Sequence, residues 1–440
     1  MSKVKFEDAN IILIDGDRGK NYPKKNDFLS EGDCFFLSAK NVTKNGFNFD
    51  EKNFISSEKD SQLRAGKLEK GDIIITTRGT IGNIAYFDND IPYRNIRINS
   101  GMLILRASEK YWNRYFLSIY LSSKIFQNQV ERFISGSAVP QLPAKDLKKM
   151  LLPKIDLHIQ HKIANIIGCL NKKIALNTQT NQTLEQIAQG IFKHWFIDFA
   201  PVHAKANALA RGETTEQAEL AAMACLSGKT VEKITALKTQ DPTTYHQLQQ
   251  TAATFPSEFV ETEMGEVPKG WEVKPINEIC RVVYGKGLPK NQLRASGYPV
   301  YGANGVIGYY DQYLYENRQV LVGCRGTVGQ VYVSQPYSYI TSNSLVIEYE
   351  KTTINLYFLE LYLKSLDLSI FASGSVQPQI TIQNLSKLKI LIPNKEILDS
   401  FATLVGPIYQ LTYKNDDEKK TLSETRDILL PKLLNGEIEL

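Results

Sequence analysis

Cysteine is scarce: five residues in 440, at positions 34, 169, 225, 280 and 324, none closer to the next than 44 residues. Without a Cys-x-x-Cys pair the chain has neither a disulfide frame nor a zinc knot, and reduced thiols in ordinary core positions are expected. Histidine is equally sparse; His158 and His161, at helical i, i+3 spacing, read as a cap or surface pair rather than metal ligands. Long apolar runs are missing too. Ile11 to Ile14 is far too short to span a bilayer and Met1 to Asn10 is polar, so a cytoplasmic protein without a targeting segment is expected.

The familiar signatures of catalysis also fail. Gly228-Lys229-Thr230 has Met223 where a phosphate loop needs its first glycine. Gly285-Lys286-Gly287 lacks the third glycine of a dinucleotide fingerprint, Glu272-Val273-Lys274 lacks the preceding strand of a nuclease core, and Asp90-Ile91-Pro92-Tyr93 reads as a turn. No catalytic residue, cofactor or metal is therefore assigned. Nor does one sign of charge dominate, for the net value is only +5. Its distribution is uneven, however. Residues 1–150 hold 24 Lys and Arg against 18 Asp and Glu, and residues 271–395 hold 12 against 8. Residues 151–270 hold 11 against 12, and residues 396–440 hold 5 against 9. Two basic regions that would suit a polyanion thus alternate with two that would not.

What the chain does contain, it contains twice. Ser135-Gly136-Ser137-Ala138-Val139-Pro140-Gln141-Leu142 returns as Ser373-Gly374-Ser375-Val376-Gln377-Pro378-Gln379-Ile380, an offset of 238. Arg78-Gly79-Thr80-Ile81-Gly82 returns at an offset of 247 as Arg325-Gly326-Thr327-Val328-Gly329, and Tyr115-Phe116-Leu117 at 242 as Tyr357-Phe358-Leu359. Two copies this long make duplicated domains, not a solenoid. In the first, strands are expected at Ile11 to Ile14, Asp33 to Leu37 and Asp72 to Thr77, with a helix from Trp112 to Phe126. The second repeats the plan with strands near Val320 to Gly323 and Gly329 to Val333 and a helix near Leu356 to Leu366.

A heptad-like segment follows each copy. Ile159, Ile163, Ile166 and Leu170 are matched at an offset of 238 by Ile397, Phe401, Leu404 and Ile408. Two such stripes, too narrow for a globular core, are expected to pair as long helices of roughly 58 Å each. The polar interval Asn177 to Thr183 should be the place least involved in that packing. Ala204 to Ala224 is helix-prone, a polar stretch runs on to Thr254, and Pro256 to Gly270 forms a connector. The fold expected is α/β of the α+β kind: two globular heads separated by a pair of long antiparallel coiled-coil helices in a pseudo-twofold repeat. The expected domains are 1–152, a first helical region 153–200, an inserted segment 201–264, a second head 265–393 and a second helical region 394–440.

The repeated motifs suit nucleic-acid reading. An arginine and glycine ending a strand let backbone approach phosphate while a guanidinium forks onto a guanine edge. Hydroxyls and amides reach phosphates and adenine edges. The candidates in the first head are Arg18, Lys20, Asn21, Tyr22, Arg78, Thr80, Ser135, Ser137 and Gln141. In the second they are Lys286, Arg294, Tyr301, Asn304, Arg325, Thr327, Ser375, Gln377 and Gln379. The glycine-rich turns also admit a purely conformational explanation.

With these motifs, Phe196-Ile197-Asp198-Phe199-Ala200-Pro201-Val202 and Gly265-Glu266-Val267-Pro268-Lys269-Gly270-Trp271, the chain resembles the specificity subunit of a type I restriction-modification system over essentially its whole length. It departs at the start, where no counterpart of the Val-Pro-x-Gly-Trp lead-in precedes the first head, so that head's first strand is expected to be altered or absent. The resemblance implies a non-catalytic reader of double-stranded DNA with a bipartite site. Each target-recognition domain would read one half, and the helices would set the gap and dock two methyltransferase subunits. Those partners bring S-adenosylmethionine, and two motor-nuclease subunits bring ATP-driven cleavage in phage defence. The recognition half of another restriction or phage-defence assembly, and a duplicated protein-binding scaffold, remain the alternatives.

Overall fold

A computed structural model of the chain describes residues 2–136, 140–374 and 376–440. It forms two compact units, residues 1–179 with 415–440 and residues 180–414. The first unit holds a four-stranded antiparallel sheet in the order Ile11–Asp15, Met102–Ala107, Ile73–Thr76, Ile84–Tyr86. A smaller sheet joins Phe54–Ile55, Cys34–Leu37 and Ile96–Ile98, the last two parallel. The second unit repeats both. Its large sheet runs Arg281–Tyr284, Ser344–Glu348, Val320–Gly323, Val331–Val333, and its small one Gly305–Tyr310, Tyr298–Gly302, Tyr339–Ile340. Continuous Ile/Val/Leu runs in the central strands fit burial on both faces, as with Ile73, Ile74 and Ile75.

The first strand of the first head is present. Lys3–Lys5 pairs with Leu151–Pro153 just as Glu272–Pro275 pairs with Lys389–Ile392. The helix expected from Trp112 to Phe126 is two helices, Arg114–Ser122 and Lys124–Phe133, parted at Ser123 in an extended conformation. Asn113 caps the first by accepting from Phe116 N, and Asn355 does the same for Leu356–Lys364 through Phe358 N.

The long helices run Leu157–Phe196 and Lys395–Asn435. In the first unit Arg426 donates to Asn171 (3.2 Å) and Asn177 to Glu418 (2.7 Å). In the second, Asn181 donates to Thr412 O (3.1 Å) and the Phe192 and Phe401 rings lie 6.1 Å apart. One number rises as the other falls, so the pairing within each unit is antiparallel.

The stripes differ from the expected ones in two ways. Ile163, Ile397 and Phe401 are fully buried and Ile159, Leu170 and Ile408 pack beside them, but Ile166 is 37% and Leu404 45% exposed. Ile167 and Val405, one residue on, are buried instead. The reason is that these helices are not a separate narrow seam. Ile163 and Ile167 share a core with Phe116 and Leu117, and Ile397, Phe401 and Val405 with Phe358 and Leu359. Serving a head as well as a partner helix rotates the buried face. Close approach is visible at Gly168, where an added Cβ would lie 3.1 Å from the Tyr115 ring. The polar interval is also part of the packing, for Asn177 is 3% exposed and bonded to Glu418.

The inserted segment is four helices, Ala200–Ala210, Thr215–Ser227, Val231–Gln240 and Pro242–Thr254, the last two lying in the stretch read as merely polar. Thr230 and Asp241 cap them, and Ala222, Met223, Ile234, Tyr245 and Ala252 make a small core. The connector contains a hairpin, Phe259–Thr262 with Gly265–Pro268. Of the cysteines, 34, 280 and 324 are buried, but Cys169 is exposed and Cys225 half-buried. Burial pushes the Cys280 thiol up to about 12. Among the described residues no helix is long and apolar enough to cross a membrane.

Candidate DNA-reading face of each head

Each Arg-Gly-Thr motif begins where a central strand ends. Thr77 N and Arg78 N both donate to Gly101 O (2.8 and 3.2 Å), and Cys324 N and Arg325 N both donate to Asn343 O (2.9 and 3.3 Å). The chain then turns through Gly79 and Gly326, at φ of +74° and +81°. Gly82 N closes the first loop on Thr76 O (2.9 Å) and Gly329 N the second on Gly323 O (2.8 Å). A positive φ is cheap for glycine alone, so the glycines have a conformational role in both copies. The arginines do not share that explanation, since their side chains are exposed on the turn.

The second repeated motif comes back to the first. Leu142 N donates to Thr77 O (3.0 Å) and Ile380 N to Cys324 O (3.1 Å), which sets Gln141 across a bridge from Arg78 and Gln379 across one from Arg325. In the second head the side chains meet as well, Arg325 Nε donating to Gln379 Oε1 at 3.1 Å. Motifs 63 and 54 residues apart in sequence thus form a single edge, Arg beside Gln, in each head.

In the first head this edge borders a hollow of about 270 Å³ lined by Asp15, Arg18, Thr77, Arg78, Leu103 and Gln141 among others. Arg18 Nη2 reaches Asp15 (3.0 Å) and Ser100 O (3.3 Å). Thr80 Oγ1 donates to Ala39 O (3.3 Å) at the edge of a neighbouring hollow of about 350 Å³. Ser135 is bridged to Gln141.

Other candidates lie elsewhere. Asn21 donates to Gln62 O (3.3 Å) and Tyr22 packs on Phe36, so this segment, with exposed Lys20, is tied to the helix Ser57–Gln62 and not to the Arg78 hollow. Arg294 is paired with Asp311 at 2.6 Å, and its charge is partly answered already. Tyr301 is a core residue: 5% exposed, its hydroxyl accepts from Gln335 N (2.9 Å) and its ring stacks on Tyr332. It occupies the place of Leu37, since Thr341 N bonds its carbonyl as Asn99 N bonds that of Leu37. Lys286 is exposed beside Thr341, Asn304 is exposed at a hairpin tip, and Thr327 and Gln377 are exposed. Ser137 and Ser375 lie outside the described residues.

Asp15 and Ser100 had no signal of their own in the sequence. Structural equivalence supplies a further position. Asp15 pairs with Leu103 and Tyr284 with Leu345, so Tyr284, 38% exposed, holds in the second sheet the register position that Asp15 holds in the first.

A family model described as the type I restriction modification DNA specificity domain matches residues 9–186 and 268–412. The chain is 34% identical to the type I restriction enzyme HindI specificity subunit of Haemophilus influenzae, across 96% of this chain and 98% of that one. It is 24% identical to the MjaIX specificity subunit of Methanocaldococcus jannaschii, across 84% and 78%. Its fold is like that of a crystal structure of a type I restriction-modification S subunit from M. genitalium, with a TM-score of 0.52 and 17% identity over 98% and 95% of the two chains.

Proposed function

This chain belongs to the type I restriction-modification DNA specificity family, and from that premise we propose how its parts divide the work. Each head reads one half of a bipartite duplex site, with the Arg78–Gln141 edge in one half and the Arg325–Gln379 edge in the other. The observation that carries this reading is that two repeated motifs, distant in sequence, meet as the same Arg–Gln edge in both heads. Arginine can fork onto guanine O6 and N7, and glutamine onto adenine N6 and N7, so the pair has the donors and acceptors for direct readout in a major groove. The basic balance of both heads would supply the sequence-independent attraction.

The recognition role belongs to the family; the absence of catalysis in this chain is part of the proposal. S-adenosylmethionine and ATP then enter with two methyltransferase and two motor-nuclease subunits, the long helices docking the former and fixing the gap between half-sites. The division into heads at 1–152 and 265–393, helical regions at 153–200 and 394–440 and an insertion at 201–264 is carried forward on the same footing, as is a cytoplasmic setting. Mapping methylated adenines in a genome modified by the chain and its methyltransferase partner tests the reading. A split motif with two fixed halves is expected; a continuous motif overturns it. A scaffold that binds only proteins would show no steep salt dependence on duplex DNA.

A further inference from the structure

The first head carries a half-exposed carboxylate in the hollow assigned to DNA. Asp15 lines it with Arg18, Arg78 and Gln141, and its side chain is 46% exposed. A carboxylate facing a phosphate is repelled, so Asp15 is out of place in a hollow that grips backbone. It belongs where something presents hydrogen-bond donors. On a major-groove edge those donors are the N4 amino group of cytosine and the N6 amino group of adenine. Arg18 Nη2 reaches both oxygens of the carboxylate, but a single nitrogen leaves a further acceptor site on each. Arg18 also has a second anchor in Ser100 O.

We propose that Asp15 is a specificity-determining residue of the first head, accepting a hydrogen bond from the exocyclic amino group of a base next to the one met by Arg78. The second head has no carboxylate at that position. Tyr284 takes the place of Asp15. The same register position therefore has a charged carboxylate in one head and a neutral tyrosine in the other. The inference rests on the reading of the Arg78 hollow as a base-reading site.

The test uses the chain assembled with its methyltransferase partner and duplexes bearing each of the four bases at each position of the first half-site. Asp15→Asn, Arg18→Ala and the double variant are compared with the parent. Asp15→Asn should change the preference at one position by about tenfold, the lower range for a direct base contact, whether Arg18 is kept or replaced. The second half-site, unchanged, reports that the variant is folded. Equal loss on every duplex, no loss, or an effect that vanishes once Arg18 is replaced overturns the proposal, the last outcome making Asp15 a positioning residue for Arg18. If Arg78→Ala also leaves every first-half preference intact, the base-reading assignment of the hollow has failed instead.

Discussion

The parallel edge strand of the small sheet carries Arg97 in the first head and Tyr339 at the same place in the second. Arg97 binds Asp60, which also takes hydrogen bonds from Lys67 (2.8 Å) and Asn95 (3.2 Å). Tyr339 is an aromatic core residue whose ring lies 5.4 Å from Tyr310 and whose hydroxyl donates to Gly287 O (3.3 Å). The surrounding frame is shared down to the asparagine helix caps and the left-handed glycines. A frame fixed by backbone devices tolerates either filling, provided that every buried polar group is answered. The proposed reading positions show the same freedom, with Asp15 on one side and Tyr284 on the other. Duplication thus supplies the scaffold twice, and chemistry at a few places makes the two copies differ.

The comparison breaks most severely where the heads depend on the long helices. Phe401 is fully buried against Phe192, Trp195 and Phe196. Phe401→Asp would bury a carboxylate without a partner and should cost more than about 4 kcal/mol. Hydrogen exchange should then show protection lost in residues 180–414 first, and Ile163→Asp the reverse. Equal loss in both units from either variant would mean that the two are one cooperative body.

The second test uses the Asp60–Arg97 ion pair of the first head, whose place Tyr339 takes in the second. Burial alone would raise the Asp60 carboxyl, but hydrogen bonds from Lys67, Arg97 and Asn95 outweigh it and hold it at about 2 against an ordinary 3.8. Its contribution is therefore complete above the ordinary value and disappears as pH falls toward 2. Asp60→Asn leaves Arg97 buried without its anion and should destabilise the first head by about 3–5 kcal/mol at neutral pH. Urea unfolding followed in the first head should show the parent approaching the variant in acid, while the second head is unaffected. A constant difference between pH 7 and 3 would show that Asp60 is not the titrating group.

A third contrast lies in the helix pair. Asn177 donates to a carboxylate, Glu418, whereas Asn181 donates to the neutral carbonyl of Thr412. Hydrogen bonds to charged groups contribute roughly 1.5–3 kcal/mol and neutral ones roughly 0.5–1.5. Asn177→Ala should thus destabilise its unit more than Asn181→Ala does, and neither should alter which bases are read. A changed base preference would mean that the helices and heads are coupled in specificity.

The duplication was legible because a repeated turn needs repeated residues, and Gly79 and Gly326 mark it by their positive φ. The helices were legible as elements, but their buried face was not. Counting a stripe through Ile166 and Leu404 considers one helix against another, while Tyr115 against Gly168 and Tyr357 near Gly406 show that the head claims part of the same surface. Two inserted helices were hidden because each brings only a few apolar residues to their core, Ile234 and Leu237 from one and Tyr245, Leu248 and Ala252 from the other. Arg78 and Gln141 could be picked out by repetition. Asp15 could not, since Arg78, Leu103 and Gln141, which line the hollow with it, come from remote segments.

The finest contrast concerns the arginines themselves. Arg78→Ala and Arg325→Ala should each weaken only the half-site of their own head, by about 1–3 kcal/mol if the guanidinium forks onto a guanine. Their settings differ, however. Arg325 is held by its Nε bond to Gln379, whereas Arg78 lies in a hollow with Arg18 and Asp15. Gln379→Ala should release Arg325 and reproduce part of the Arg325→Ala loss at the same base, because an unanchored guanidinium gives up more rotamer freedom when it binds. Gln141→Ala should instead affect a different base from Arg78→Ala. Binding to duplexes substituted one base at a time, at fixed salt, separates these outcomes. Equal loss across all sequences would turn either arginine into a phosphate contact, and identical base profiles for Gln141→Ala and Arg78→Ala would show that the two heads hold their arginines alike.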